Sequence, residues 1–206
     1  MEMPETPQLY LVTPSDFELS SFPDALARVL DAHQIACVRL DLATQDEDRL
    51  SRAADALREI THARDIALVV RDHSVLAERL GLDGVHLSDA ARSVRATRKA
   101  LGEDAIVGSF CGTSRHDGMA AGEAGADYVC FGPVSPNELG DGSHAQLDMF
   151  EWWSEVIEVP VVAEGQLDAA RIAQLTPFTD FFAFRDEVWQ ADDPVARLGQ
   201  LIEAMG

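Results

Sequence analysis

Short runs in which almost every residue is apolar alternate along this chain with longer stretches whose apolar positions recur every three or four residues. The apolar runs are Leu9–Thr13, Ala36–Leu42, Ile66–Val70, Gly84–Leu87, Ala105–Phe110, Asp127–Phe131, Val159–Ala163 and Asp180–Phe184. The helical stretches between and after them lie near 22–33, 46–63, 73–81, 90–101, 114–124, 146–157, 168–175 and 193–204. A run such as Ile66-Ala67-Leu68-Val69-Val70 fits a strand buried on both faces, and strands alternating with helices indicate a parallel sheet with crossover helices. Eight such units are the count of a (β/α)8 barrel, whereas a doubly wound sheet usually stops at about five or six strands. The expectation is one α/β domain over 1–206, a (β/α)8 TIM barrel.

Local punctuation agrees with this division. Thr44, Asp72 and Ser114 stand where helix N-caps are expected, and Gly81, Gly102 and Gly125 stand where helices stop before the next strand. The one long connection without a pattern runs from Gly132 to Ala145 and contains Pro133, Pro136, Gly140 and Gly142, which predicts a mobile loop.

Composition narrows the classes of function. The apolar fraction of 47% and charged fraction of 25% are those of a folded globular chain. No apolar run approaches the roughly 18 residues of a membrane span, and Met1 to Pro7 is polar, so a cytoplasmic protein without a membrane partner is expected. A formal net charge of −20 marks an acidic protein and argues against nucleic acid and other polyanions. Cys37, Cys111 and Cys130 are widely spaced among apolar residues and read as buried free thiols. The 16 basic residues include a single lysine, Lys99, late in the fourth helical stretch. Crossover helices run back from the catalytic face, so Schiff-base chemistry is not expected.

Barrel active sites lie at the C-terminal ends of the strands. Arg39 and Asp41 are two apart on one strand and share a side, either paired with each other or in contact with a ligand. Arg71, Asp72 and His73 close the third strand with a cation, a hard oxygen ligand and an imidazole, although Asp72 could serve as a cap alone. His86 interrupts the fourth strand, as a satisfied core histidine or as a ligand. Gly165 and the turn carrying Arg185 and Asp186 fall where such barrels often hold a phosphate. Glu164, Asp186 and Glu187 flank that place, so only Arg185 argues for an anion there. No catalytic residue is assigned on these grounds.

Three segments carry a resemblance: Gly84-Val85-His86-Leu87, the run from Gly125-Ala126-Asp127-Tyr128 through Gly132-Pro133-Val134, and Val159-Pro160-Val161-Val162-Ala163. In order and spacing they resemble the thiamine-phosphate synthase and thiazole-tautomerase family over roughly Tyr10 to Ala204. The resemblance implies a barrel that joins a pyrimidine diphosphate to a thiazole phosphate with magnesium, releasing diphosphate, or that acts on the thiazole phosphate alone. It places a magnesium ligand at Asp72. The family's second metal aspartate falls on Ala91, with Asp89 nearby as a substitute.

Departures from the family pattern are concentrated in the polar groups. The Gln, Arg and Lys after the second strand become Arg39, Asp41 and Ala43, and the Asn of Asn-Asp becomes Arg71. The serine after the fifth strand falls on Phe110 and the tautomerase histidine on Gly112. The threonine- and lysine-bearing loop reads Ser135-Pro136-Asn137-Glu138-Leu139-Gly140. Gly-Gly becomes Gly165-Gln166, and Val-Ser becomes Arg185-Asp186. Diphosphate departure depends on cations and metal that neutralise developing charge, and losing one such group costs roughly 2.7–4 kcal/mol. Ordinary synthase turnover is therefore in question unless Arg39, Arg71 and Arg185 restore the charge. The partner expected is a small phosphate-bearing or heteroaromatic ligand, with a homo-oligomer left open. The rivals are a non-catalytic ligand-binding or regulatory protein and a different phosphate- or metal-dependent enzyme on the same scaffold.

Overall fold

The computed structural model describes residues 6–136 and 141–206. Eight strands, all parallel, close in chain order: β1 Gln8–Val12, β2 Ile35–Leu40, β3 Ala67–Arg71, β4 Gly84–Leu87, β5 Ile106–Phe110, β6 Tyr128–Phe131, β7 Val161–Glu164 and β8 Phe181–Phe184. The helices are α1 Phe22–Ala32, α2 Glu47–His62, α3 Ser74–Leu80, α4 Val94–Leu101, α5 Arg115–Ala124, α6 Leu147–Val156, α7 Ala169–Leu175, α8 Asp186–Trp189 and α9 Pro194–Glu203. The chain is a (β/α)8 barrel, as the alternation predicts. Two short elements go unread in the sequence pattern, α8 with four residues and a 3-10 turn at Thr176–Phe178, both too short to show a helical period.

Two cap expectations are corrected. Helix α2 is capped by Asp46, whose side chain accepts from Arg49 N at 3.0 Å, while Thr44 Oγ1 accepts from Asp46 N one step outside. Asp72 is not a cap: α3 begins after His73, which makes no capping bond, and Asp72 sits at φ +60° with its carboxylate turned to Ser88. Ser114 does cap α5, accepting from Asp117 N at 3.1 Å. Residues 137–140 of the Gly132 to Ala145 connection lie outside the described residues. Its two flanks are pinned, because Val134 N donates to Gly165 O at 2.9 Å and Ala145 N to Pro133 O at 2.7 Å, with both residues buried.

Strand alternation sends one set of side chains outward against the helices and the other into the barrel. The outer core is aliphatic and aromatic, including Leu11, Leu26, Val38, Leu57, Phe131, Phe150, Trp153 and Phe184. The inner set begins with a cluster of Tyr10, Val12, Cys37, Val69, Tyr128, Cys130, Val162 and Ala183. Higher in the barrel the inward positions turn polar, at Arg39, Asp41 and His86, each about 2% exposed.

Three aspartates just before even-numbered strands fix the opposite end. Asp83, Asp127 and Asp180 each accept, through Oδ2, the backbone N–H of the preceding strand at Leu68, Val107 and Val161. Those donors sit at 2.7, 2.7 and 2.8 Å. They are strand-end N–H groups that would otherwise lack partners.

Gly108 has a particular task. A Cβ there would stand 2.0 Å from the Tyr128 ring, so only glycine lets Tyr128 lie across the inside of the barrel beneath His86.

Candidate active site

Strands β2, β3, β4, β6, β7 and β8 deliver one connected polar cluster to the upper barrel. Arg39 is its hub. Its Nη1 and Nη2 donate to Glu164 Oε2 and Oε1 at 3.0 and 2.6 Å, a bidentate pair across the barrel axis. Nη1 also donates to His86 Nε2 at 2.8 Å. Because a guanidinium has no acceptor, His86 Nε2 must be unprotonated, which places the ring hydrogen on Nδ1. Nδ1–H then donates to Tyr128 Oη at 2.9 Å, and Tyr128 O–H lies 2.7 Å from Tyr10 Oη. A hydrogen-bonded column thus runs from Tyr10, low in the barrel, to Arg39 below the mouth.

The charges follow from this packing. Burial pushes the His86 pKa well down, and Arg39 pushes it further, so the imidazole is neutral. Burial raises Glu164, but the Arg39 charge and its hydrogen bonds override that and hold the carboxyl at about 2. Burial likewise drives Tyr10, Tyr128 and Cys130 up, keeping all three protonated, and the Cys130 thiol donates to Glu164 Oε2 at 3.1 Å.

Above this column sits Asp41, its side chain 3% exposed and ringed by three arginines. Arg39 Nε lies 3.0 Å from Oδ2, Arg71 Nη1 2.8 Å from Oδ1 and Arg185 Nη2 2.7 Å from Oδ2. Arg39 Nε and Asp41 Oδ1 make these approaches as ion pairs without hydrogen-bond alignment. Arg39 is sealed, whereas the side chains of Arg71 and Arg185 are 34% and 31% exposed. Arg71 Nε is also 3.7 Å from Asp72 Oδ2. Three guanidinium groups therefore meet three carboxylates, Asp41, Glu164 and Asp72, and the cluster is neutral before any ligand enters.

The remaining residues singled out from sequence lie around this cluster. Asp72 accepts from Ser88 N at 2.8 Å and Ser88 Oγ at 2.5 Å, which fixes its carboxylate at the exposed rim. Asp89 accepts from Ser93 Oγ at 2.5 Å through Oδ2, while its Oδ1 is buried without a partner. Lys99 is exposed on α4, away from the mouth. Gly165, at φ +86°, opens a cleft of about 630 Å³ lined also by Arg185 and Asp186.

From sequence, Glu164 and Glu187 register only as flanking repulsive charges, Cys130 only as a buried thiol, Tyr128 only within the family resemblance, and Tyr10 not as a site residue. The one available signal was two tyrosines on apolar strands beside a buried histidine, since buried hydroxyls demand partners.

Magnesium is compatible with the rim in a limited way. Among the described residues no group of three or more His, Cys, Asp or Glu side chains is arranged to hold a metal. Magnesium commonly takes one or two carboxylates and completes its octahedron with water and substrate phosphates. Asp72 offers one exposed carboxylate at the rim, and Asp89 Oδ1 is an oxygen without a protein donor.

This cluster predicts acid sensitivity in two stages. A depressed folded pKa means the unfolded chain binds more protons between the two values, so the contribution is full above the unfolded pKa and is lost as pH falls from there through the folded pKa. For His86 the loss begins below its ordinary 6.5, and for Glu164 it falls between 4.5 and about 2. Urea midpoints measured from pH 8 to pH 3 should decline in both windows. His86→Gln should flatten the upper decline and leave the lower.

Comparison with known proteins bears on the family and the fold. The family model described as thiamine monophosphate synthase matches residues 9–179. A thiamine-phosphate synthase of Rhodospirillum centenum is 40% identical over 184 residues, covering 88% of this chain and 89% of that protein. One from Erythrobacter litoralis is 38% identical, covering 92% and 91%. The solved thiamine phosphate pyrophosphorylase of Pyrococcus furiosus superposes with a TM-score of 0.81 over 96% of each chain, at 22% identity, a likeness of fold. Family match, relatives and barrel agree over most of the sequence: the chain belongs to the thiamine monophosphate synthase family.

Proposed function

We propose that the protein is a transferase of the thiamine-phosphate synthase type that joins a pyrimidine diphosphate to a thiazole phosphate at the C-terminal mouth. In this step the bond between the pyrimidine and its diphosphate breaks, a bond to the thiazole forms, and diphosphate leaves with the electron pair. The observation that carries the reading is the pair Arg71 and Arg185, both paired to Asp41 on one side and a third exposed on the other. Two guanidinium groups turned to the mouth supply the positive charge that departing diphosphate requires.

The residues divide into those that meet substrate and those that hold them. Arg71 and Arg185 bind the diphosphate. Arg39, sealed and spent on Glu164, His86 and Asp41, positions Asp41, which in turn spaces the two exposed arginines. Asp72, with Asp89, would hold magnesium, whose contribution when bound is neutralisation of phosphate charge. Ser88 keeps the Asp72 carboxylate aimed at the rim.

The test is direct. Purified protein supplied with the pyrimidine diphosphate, the thiazole phosphate and magnesium should form thiamine phosphate with release of diphosphate. The neutrality of the arginine cluster favours one other reading, a ligand-binding protein without turnover. Heat of binding by calorimetry with no product formed would establish that reading and overturn the first.

A further inference from the structure

The buried column beneath the mouth holds one more hydrogen than it can bond. Arg39 Nη1 fixes His86 as the Nδ1–H tautomer, so three hydrogens, on His86 Nδ1, Tyr128 Oη and Tyr10 Oη, enter a chain whose acceptors are the two tyrosine oxygens. His86 donates to Tyr128 at 2.9 Å, and one tyrosine donates to the other at 2.7 Å. Whichever tyrosine donates, the other O–H is left over. Among the described residues neither hydroxyl has a further partner. The Cys37 sulfur on the same wall is a weak acceptor, its own thiol turned to Val38 O at 3.8 Å. Tyr10 and Tyr128 are 2% and 8% exposed, and a buried donor without an acceptor is costly.

That hydrogen borders a cavity. Below the tyrosines lies a space of about 180 Å³ walled by Ala67, Ile106, Val162 and Phe181. Barrel interiors are ordinarily filled by layers of bulky side chains, and here the small Ala67 and Cys37, register partners on β3 and β2, leave the lowest layer incomplete. Ala67, Ile106 and Phe181 are the first residues of their strands and only partly buried, so the space opens at the N-terminal end. An engineered protein cavity of about 150 Å³ accepts a benzene ring. Water suits the place poorly, because a buried water needs roughly two to four polar partners. The surplus O–H is one, and the Gln8 side chain stands exposed at the entrance. No described residue on the walls is charged, and Asp83, Asp127 and Asp180 at the same end of the barrel disfavour an anion.

We propose that the N-terminal end of the barrel is a second binding site, which takes a neutral molecule the size of a single ring that carries one hydrogen-bond acceptor, such as a ketone oxygen. The apolar body fills the space below the tyrosines, and the acceptor takes the surplus O–H. The site lies at the end of the barrel opposite the mouth and is independent of the transferase reading.

Cyclohexanone is the probe, titrated into the whole protein and followed by amide-resolved NMR. Saturable shifts centred on the strand starts at Ala67, Ile106 and Phe181 are expected. Ala67→Phe, which fills the cavity, should abolish them. No saturable shift overturns the proposal, as do shifts confined to the mouth or binding unchanged in Ala67→Phe. Should Ala67→Phe not fold, Ala67→Val fills part of the same space, and it should weaken binding several-fold; unchanged affinity there overturns the proposal equally. Infrared difference spectra of the wild type against the filled variant then read the hydrogen bond. The carbonyl stretch of the bound ketone should lie well below its frequency in hexane, as a carbonyl accepting from a hydroxyl does. A bound band at the hexane frequency would mean that the surplus O–H does not reach the ligand, and overturns the assignment.

Discussion

Arg39→Met should destabilise the barrel by about 3–5 kcal/mol, the cost of removing one partner from a buried ion pair. That is a large share of the roughly 5–15 kcal/mol that holds a typical domain together. The mechanism is specific. Glu164 loses both guanidinium bonds and keeps only the Cys130 thiol, His86 Nε2 loses its only donor, and Asp41 loses one of three cations. Urea unfolding followed by far-UV circular dichroism measures the loss. Adding Glu164→Leu should recover most of it, because a buried pair replaced by apolar side chains of similar volume is often neutral. If Arg39→Met alone is neutral, Arg39 is not the hub described. No gain from the second change would mean that the loss arises elsewhere.

Arg71→Ala and Arg185→Ala should separate activity from stability. Each is expected to lower kcat/KM for the pyrimidine diphosphate by about 10²–10³, the effect of deleting one donor to developing negative charge. Both side chains are about a third exposed, at 34% and 31%, and Asp41 keeps two cations after either change, so unfolding midpoints should move little. Steady-state kinetics on each variant checks the first expectation and urea unfolding the second. Kinetics unchanged in both variants would remove the arginines from the diphosphate site. A fall in activity matched by a fall in stability would place them in the fold alone.

The contrast between these two predictions reflects depth in the barrel more than residue type. All three arginines contact Asp41. Burial decides which of them is structural and which faces a ligand, and burial of a polar side chain at a strand end is hard to read from a strand pattern. The sequence identifies Arg39 and Asp41 as sharing one side of β2 because side chains alternate along a strand. Nothing local indicates that Glu164, 125 residues later, would cross the barrel to meet Arg39. The same holds for His86, whose ambiguity between core and ligand is resolved only by Tyr128 and Arg39 on its two nitrogens. Glu187 is the sharpest case. As an acidic residue after β8 it argues from sequence only for repulsion, yet its carboxylate accepts from two backbone amides, Leu167 N and Arg185 N, and ties the loops after β7 and β8 together.

By itself the sequence determined what depends on near neighbours. Eight apolar runs and the helical stretches between them specify the alternation of a (β/α)8 barrel, since hydrophobic periodicity records which faces are buried. Gly81, Gly102 and Gly125 mark the helix ends because each C-cap needs positive φ, here 63°, 87° and 105°. The replaced polar positions and the single lysine already showed that any cationic chemistry at the mouth must come from arginine. Only the tertiary structure decided how those charges are spent. Ion pairs and hydrogen bonds form between strand ends far apart in the chain and are brought together by barrel closure. Closure sealed Arg39, exposed Arg71 and Arg185, and set the Glu187 carboxylate between the loops after β7 and β8.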